Sequence, residues 1–148
     1  MSDSPSSSSS TSLSQNIPQN IPKGNLLLRT LAMPADTNAN GDIFGGWIMS
    51  QLDLAGGILA KEISKGRIVT VSVSEIVFKK PVEVGDVVCC YGECTRVGRT
   101  SMSIHLEVWI KGYLHGETGE REKVCEAQFN YVAINEEGRP RPVYPETE

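Results

Sequence analysis

Basic residues are in short supply: fourteen lysines and arginines face eighteen aspartates and glutamates, a formal charge of −4 over 148 residues. The only charges before Gly24 are Asp3 and Lys23, so the acidic excess belongs to the body of the chain and argues against nucleic-acid binding. Cysteine occurs four times, at Cys89, Cys90, Cys94 and Cys125, without the Cys-x-x-Cys spacing of a zinc site or the framework of a small secreted scaffold. These read as reduced thiols embedded in strands, and no metal is expected. The two histidines, His105 in the polar phase of a strand and His115 in a loop, have no local ligand cluster and read as solvated. A Gly-x-Ser-x-Gly elbow is absent, which leaves a serine hydrolase unsupported. Residues 1–15 have neither a basic start nor an apolar run, so neither a signal peptide nor a membrane span is expected, and the expected location is the cytoplasm.

What is present fits one domain with a modest core. Residues 1–23 are Ser-rich and then carry Pro18 and Pro22, with too little apolar surface to offset the entropy of ordering them; they read as a disordered leader to a single domain over 24–148. Leu26 to Ala32 predicts a short strand stopped at Pro34, followed by a loop of turn formers from Asp36 to Asp42. Trp47 to Ser64 predicts a helix of roughly five turns. Its apolar residues cover more than one face, as in a helix enclosed by other structure. After Lys65-Gly66 the alternation is that of strands: Val69 to the break at Pro81, Val87 to Val97, Ser101 to Lys111 and Lys123 to Ile134, with a Gly-rich loop from Gly112 to Gly119 before the last. Strand, helix and four strands pack as an α+β layer, an antiparallel sheet wrapped around one long helix. With no internal repeat to cover the edges, association of identical chains is the natural way to bury them.

Two features carry chemistry. Gly45-Gly46 opens the helix, where first-turn amides lack partners and the helix dipole is positive; an amide at Gly46 or Trp47 suits a developing oxyanion, while the alternative is a pair of glycines that merely permits tight packing. Asp53 is the lone carboxylate in an apolar stretch, costly there unless paired or used. It is either satisfied by nearby backbone or lysine, or it is a working group. Seven residues at 1.5 Å separate Gly46 from Asp53 by about 10 Å along the axis. One carbonyl cannot easily reach both groups, so a site using both combines Gly46 of one chain with Asp53 of another. Two antiparallel helices meeting across a dimer supply that arrangement twice.

The run from Arg29 through Asn38, Gly45-Gly46 and Asp53 closely resembles the YciA-type bacterial acyl-CoA thioesterases. The likeness continues through Val69-Thr70-Val71, Lys80-Pro81-Val82, Val84 to Tyr91 and Glu107-Val108-Trp109, covering nearly all of the chain beyond the leader. The resemblance implies a hotdog fold, dimers assembled into a hexamer (a trimer of dimers), and hydrolysis of acyl-CoA to acid and CoA without a cofactor. It also implies that Asp53 is the catalytic base or nucleophile, that Asn38 positions substrate or water from the partner chain, and that Gly45-Gly46 fills the oxyanion role. CoA needs cations for its phosphates: Lys79, Lys80, Arg96 and Arg99 are candidates, with Thr100 and Ser101 as neutral donors, each equally readable as solvated surface. Val71 and Ser72 offer strand backbone to the pantetheine amides. A hotdog dehydratase is expected to carry a histidine near its helix, and none lies there. A CoA-binding regulator that has lost turnover is the alternative, and the presence of both Asp53 and Asn38 argues against it.

Overall fold

The structure is a computed structural model that describes residues 21–111 and 121–144; most of the Ser-rich leader, the Gly112–Gly119 loop and His115 lie outside the described residues. Five strands, β1 (Asn25–Leu31), β2 (Ile68–Phe78), β3 (Val87–Val97), β4 (Ser101–Lys111) and β5 (Arg121–Ala133), form one sheet in the order β1-β3-β4-β5-β2, every pairing antiparallel. The helix α1 (Gly45–Ser64) lies across the sheet and touches all five strands. Periodicity alone did not fix the strand order. The sheet places β1 and β2 on opposite edges, and α1, the long helix between them in sequence, carries the chain from one edge to the other. This is the α+β hotdog arrangement.

Alternation in β4 decides which residues meet the helix. Met102, Ile104, Leu106 and Val108 are fully buried with Leu52 and Ala55 of α1, and Phe129 and Tyr131 of β5 join the same core. Burying such side chains stabilises by roughly 1.5–3 kcal/mol each. The helix ends at Lys65 in the left-handed conformation (φ 59°), whose amide donates to Lys61 O at 2.7 Å. Gly66 follows because a Cβ there would stand 2.3 Å from the Arg141 guanidinium, which crosses the helix end to donate to Ser64 O at 3.1 Å.

The opposite face of the sheet carries a second, smaller cluster of Cys89, Tyr91 and Trp109. Cys89 and Cys90 thus point to opposite faces, as neighbouring strand residues must. Beside the cluster Glu107 is buried, accepting from Trp109 Nε1 at 2.8 Å and from the Lys23 amide at 3.2 Å, with Lys123 Nζ at 3.7 Å. His105 is not the solvated side chain its strand phase suggested: its Nε2 lies 2.9 Å from Glu107 Oε2. The reason is local, since residues two apart on a strand share a face and Glu107 offers the acceptor.

The helix leaves one face uncovered. Leu54 (57%) and Ile58 (38%) are exposed, as are Val71 (55%) and Phe78 (50%) on the edge strand β2. The enclosure expected of α1 is therefore half supplied within one chain.

Candidate active site

The start of α1 is unusual in what it lacks. Its N-cap is Phe44, in extended conformation, whose side chain cannot accept a hydrogen bond where Ser, Thr, Asp or Asn would. The Trp47 amide donates to Phe44 O at 3.1 Å, whereas those of Gly45 and Gly46 have no acceptor among the described residues. Uncovered amides at the positive end of a 20-residue helix suit an anion or a developing oxyanion. A Cβ on Gly46 would sit tightly, 3.3 Å from the Phe44 ring, whereas one on Gly45 would make ordinary contact with the Phe78 ring at 3.4 Å. A cavity of about 340 Å³ opens here, lined by Gly45, Ile48, Phe78, Lys79, Lys80 and Cys125 among others.

Asp53 lies two turns on, exposed in the single chain. Its Oδ1 accepts from Thr70 Oγ1 at 2.6 Å and from the Tyr131 hydroxyl at 3.1 Å, while Oδ2 has no partner among the described residues. A carboxylate held by one oxygen and open at the other is oriented without being neutralised. The second cavity, about 280 Å³, is lined by Asp53, Leu54, Gly57, Ile58, Lys61, Ile68, Thr70 and Tyr131, an apolar slot with the carboxylate in its wall. Burial, and after it the charge and hydrogen bond of Asp53, push the Tyr131 phenol far above its ordinary value of 10, although the Thr70 contact pulls the other way; the group stays a proton donor at neutral pH. Thr70 and Tyr131, which hold Asp53, were not singled out as candidates from the sequence. Thr70 was visible as the polar phase of a strand and as part of the Val69-Thr70-Val71 likeness, with no role attached, and the 78-residue separation of Tyr131 from Asp53 left no local signal.

Within one chain, then, Gly45 and Asp53 line different cavities. Asn38 lines neither of these two. It sits in the loop before α1, its Oδ1 accepting from the amides of Asn40 (2.9 Å) and Asp42 (3.2 Å), which leaves the side-chain nitrogen as the end without a partner among the described residues. The cationic candidates separate into two groups. Lys79 and Lys80 stand near the helix start, with Lys80 paired to Glu122 at 2.7 Å. Arg96 near the end of β3, Arg99 and Thr100 in the β3–β4 turn and Ser101 at the start of β4 stand at the other end of the sheet, where the Thr100 carbonyl accepts from Ala133 and that of Ser101 from Gly98. Val71 falls in the register shift between Thr70 and Ser72 on the edge strand, and Ser72 Oγ accepts from Asn130 at 2.9 Å. Among the described residues no group of acidic, histidine and cysteine side chains could hold a metal ion, and no helix is long and apolar enough to cross a membrane.

Comparison with known proteins gives a consistent result. Residues 40–114 match the thioesterase superfamily. The chain is similar to the acyl-CoA thioester hydrolase YciA of Escherichia coli, 62% identical over 119 residues that cover 80% of this chain and 90% of the relative. Among solved structures it is similar to a hexameric thioesterase from Yersinia pestis, 56% identical with a TM-score of 0.81 over 85% of this chain and 100% of that one. It is also similar to a hexameric hotdog fold thioesterase of Campylobacter jejuni, 43% identical with a TM-score of 0.77 over 80% of this chain and 90% of that one.

Proposed function

The chain belongs to the YciA-type acyl-CoA thioesterases of the hotdog-fold thioesterase superfamily and is a thioester hydrolase, and on that premise we propose that Asp53 performs the hydrolysis with Oδ2 while the Gly46 amide of the neighbouring protomer holds the carbonyl oxygen. The observation that carries this reading is the half-engaged carboxylate in the wall of an apolar slot, gripped at Oδ1 by Thr70 and Tyr131 and without a partner at Oδ2 among the described residues. As a base, Oδ2 takes a proton from water as the water oxygen bonds to the carbonyl carbon. The tetrahedral oxyanion accepts from the Gly46 amide; the C–S bond then breaks, and the CoA sulfur leaves with the proton returned by Asp53. As a nucleophile, the same oxygen bonds to the carbonyl carbon and expels CoA, and water then cleaves the mixed anhydride. Both routes use the same atoms of the protein, and a thiolate leaves readily enough for either.

The shared site follows from distance. The two functional groups lie about 10 Å apart on one helix, and an antiparallel two-fold pairing of α1 sets each Gly46 beside its partner's Asp53. That pairing also covers Leu54, Ile58 and the exposed edge of β2. It unites the divided cations, bringing Lys79 and Lys80 of one protomer toward Arg96, Arg99, Thr100 and Ser101 of the other for the CoA phosphates. A phosphate at Lys80 has to compete with Glu122 for it. The edge backbone at Val71 and Ser72 receives the pantetheine amides, and the Asn38 side-chain nitrogen reaches the partner's substrate or water. The dimer is thus the active unit, and the hexameric state described for the Yersinia pestis and Campylobacter jejuni proteins corresponds here to three such dimers.

The test is release of CoA thiol from short, medium and long acyl-CoAs by the wild type and by Asp53→Asn, with the protein's own four thiols subtracted. Turnover should fall by at least about a hundredfold in Asp53→Asn with the oligomer intact. Wild-type rates in that variant would remove Asp53 from the chemistry.

A further inference from the structure

Tyr131 sits on β5 with no exposed surface, directly beneath the middle of α1 and stacked against Phe129 with ring centroids 6.3 Å apart. A phenol in so apolar a place needs a partner for its hydroxyl. It finds two on the same residue, Asp53 O and Asp53 Oδ1, each at 3.1 Å. The helix is built to admit it. Gly56, one turn beyond Asp53, is the position where a Cβ would stand 2.3 Å from the Tyr131 hydroxyl and 3.0 Å from Leu106 Cδ1. A glycine inside a helix is destabilising against alanine, and here it leaves the room that the Tyr131 hydroxyl occupies on its way to the carboxylate.

A bond to the main-chain oxygen alone would fasten helix to sheet. A bond shared with Oδ1 also fixes the torsions of the Asp53 side chain, because the same proton ties its backbone to its carboxylate. Thr70, the other donor to Oδ1, approaches from β2. The carboxylate is thereby held from two strands at Oδ1, with Oδ2 left without a partner among the described residues.

We infer that Tyr131, admitted by Gly56, is a positioning residue that aims Asp53 Oδ2 at the thioester carbonyl, a role that rests on the reading of Asp53 given above. It touches no reacting atom. Misplacing a reacting group by a fraction of an ångström to an ångström costs rate and not ground-state binding.

Tyr131→Phe keeps the ring and removes only the oxygen, so the assembled enzyme is the right object for steady-state kinetics on one good acyl-CoA. The expected result is kcat lower by about tenfold with KM within about twofold of wild type. Gly56→Ala, which retains the hydroxyl but pushes it off its place, should lose kcat in the same selective way, and it carries the test if Tyr131→Phe fails to assemble. A kcat unchanged in both variants, or a loss that falls on KM, overturns the inference, since a hydroxyl that only fastens helix to sheet would lower the melting temperature without that split. Asp53→Ala, measured alongside, separates the two readings. If it is inactive while Tyr131→Phe turns over normally, only the positioning role fails; if it turns over at the wild-type rate, the role of Asp53 fails and this inference with it.

Discussion

Asp53 stood out in the sequence because a single carboxylate in an apolar helical stretch demands an explanation, and the glycine pair before Trp47 stood out because it opens a helix whose first-turn amides lack partners at the positive end of the dipole. The partners of that carboxylate did not stand out, since Thr70 and Tyr131 reach it only through the packing of β2 and β5 under α1. His105 shows the same limit from the other side: strand phase told which face it occupies, while its bond to Glu107 depends on what else lies there. Residue environment also sets the thiols. Burial, with smaller contributions from Cys89 and Cys125, pushes Cys90 up to about 12, and burial with the nearby charge of Glu126 pushes Cys125 up to about 11. Since only the thiolate reacts, these two stay inert near pH 8, and Cys89 is enclosed with Tyr91 and Trp109. A thiol reagent applied to the native protein should therefore label Cys94 alone quickly, with the other three following on denaturation; rapid labelling of Cys90 or Cys125 by mass spectrometry would contradict this packing.

At the scale of elements, the β4 alternation and the helical length of Trp47 to Ser64 were legible because period and burial coincide, and the boundaries fell within a residue or two. Strand order was not legible, since pairing partners are chosen by the whole sheet. Nor was the small cluster behind it, where β3, β4 and β5 bring Tyr91, Glu107, Trp109 and Lys123 together with the Lys23 amide. Burial alone would push the Glu107 carboxyl up, but hydrogen bonds from His105, Trp109 and the Lys23 amide, with the charge of Lys123, outweigh it and hold the group below its ordinary value of 4.5. The unfolded chain binds that proton more readily, so ionised Glu107 contributes stability above about pH 4.5 that is lost as pH falls through its lower folded value. Melting temperatures should accordingly fall below that range in the wild type, while Glu107→Gln starts lower and shows a shallower acid loss. An identical pH profile in the variant would show that another carboxylate governs acid unfolding.

For the whole molecule, the single chain is an unfinished object. One side of its edge strand β2 faces no other strand among the described residues, Leu54 and Val71 are more than half exposed, and Gly45 and Asp53 line separate cavities. The spacing of about 10 Å on one helix, from which the shared site is proposed, was readable in the sequence, whereas the outer position of β2 was not, because strand order is set by the whole sheet. A lysine on such an edge blocks strand-to-strand approach, so Val71→Lys should shift the protein toward monomer in analytical ultracentrifugation and lose activity in proportion; an active monomer would contradict the shared site. The most direct measurement mixes two inactive variants, Asp53→Asn and Gly46→Pro, the latter deleting the amide in a first helical turn that tolerates proline. After subunit exchange at equal amounts, a site built from two chains should recover about a quarter of wild-type turnover, because half of the dimers are mixed and each mixed dimer regains one intact site. Mixtures that stay as inactive as their parents, although exchange is shown by mass spectrometry, would place both groups in one chain and contradict the account.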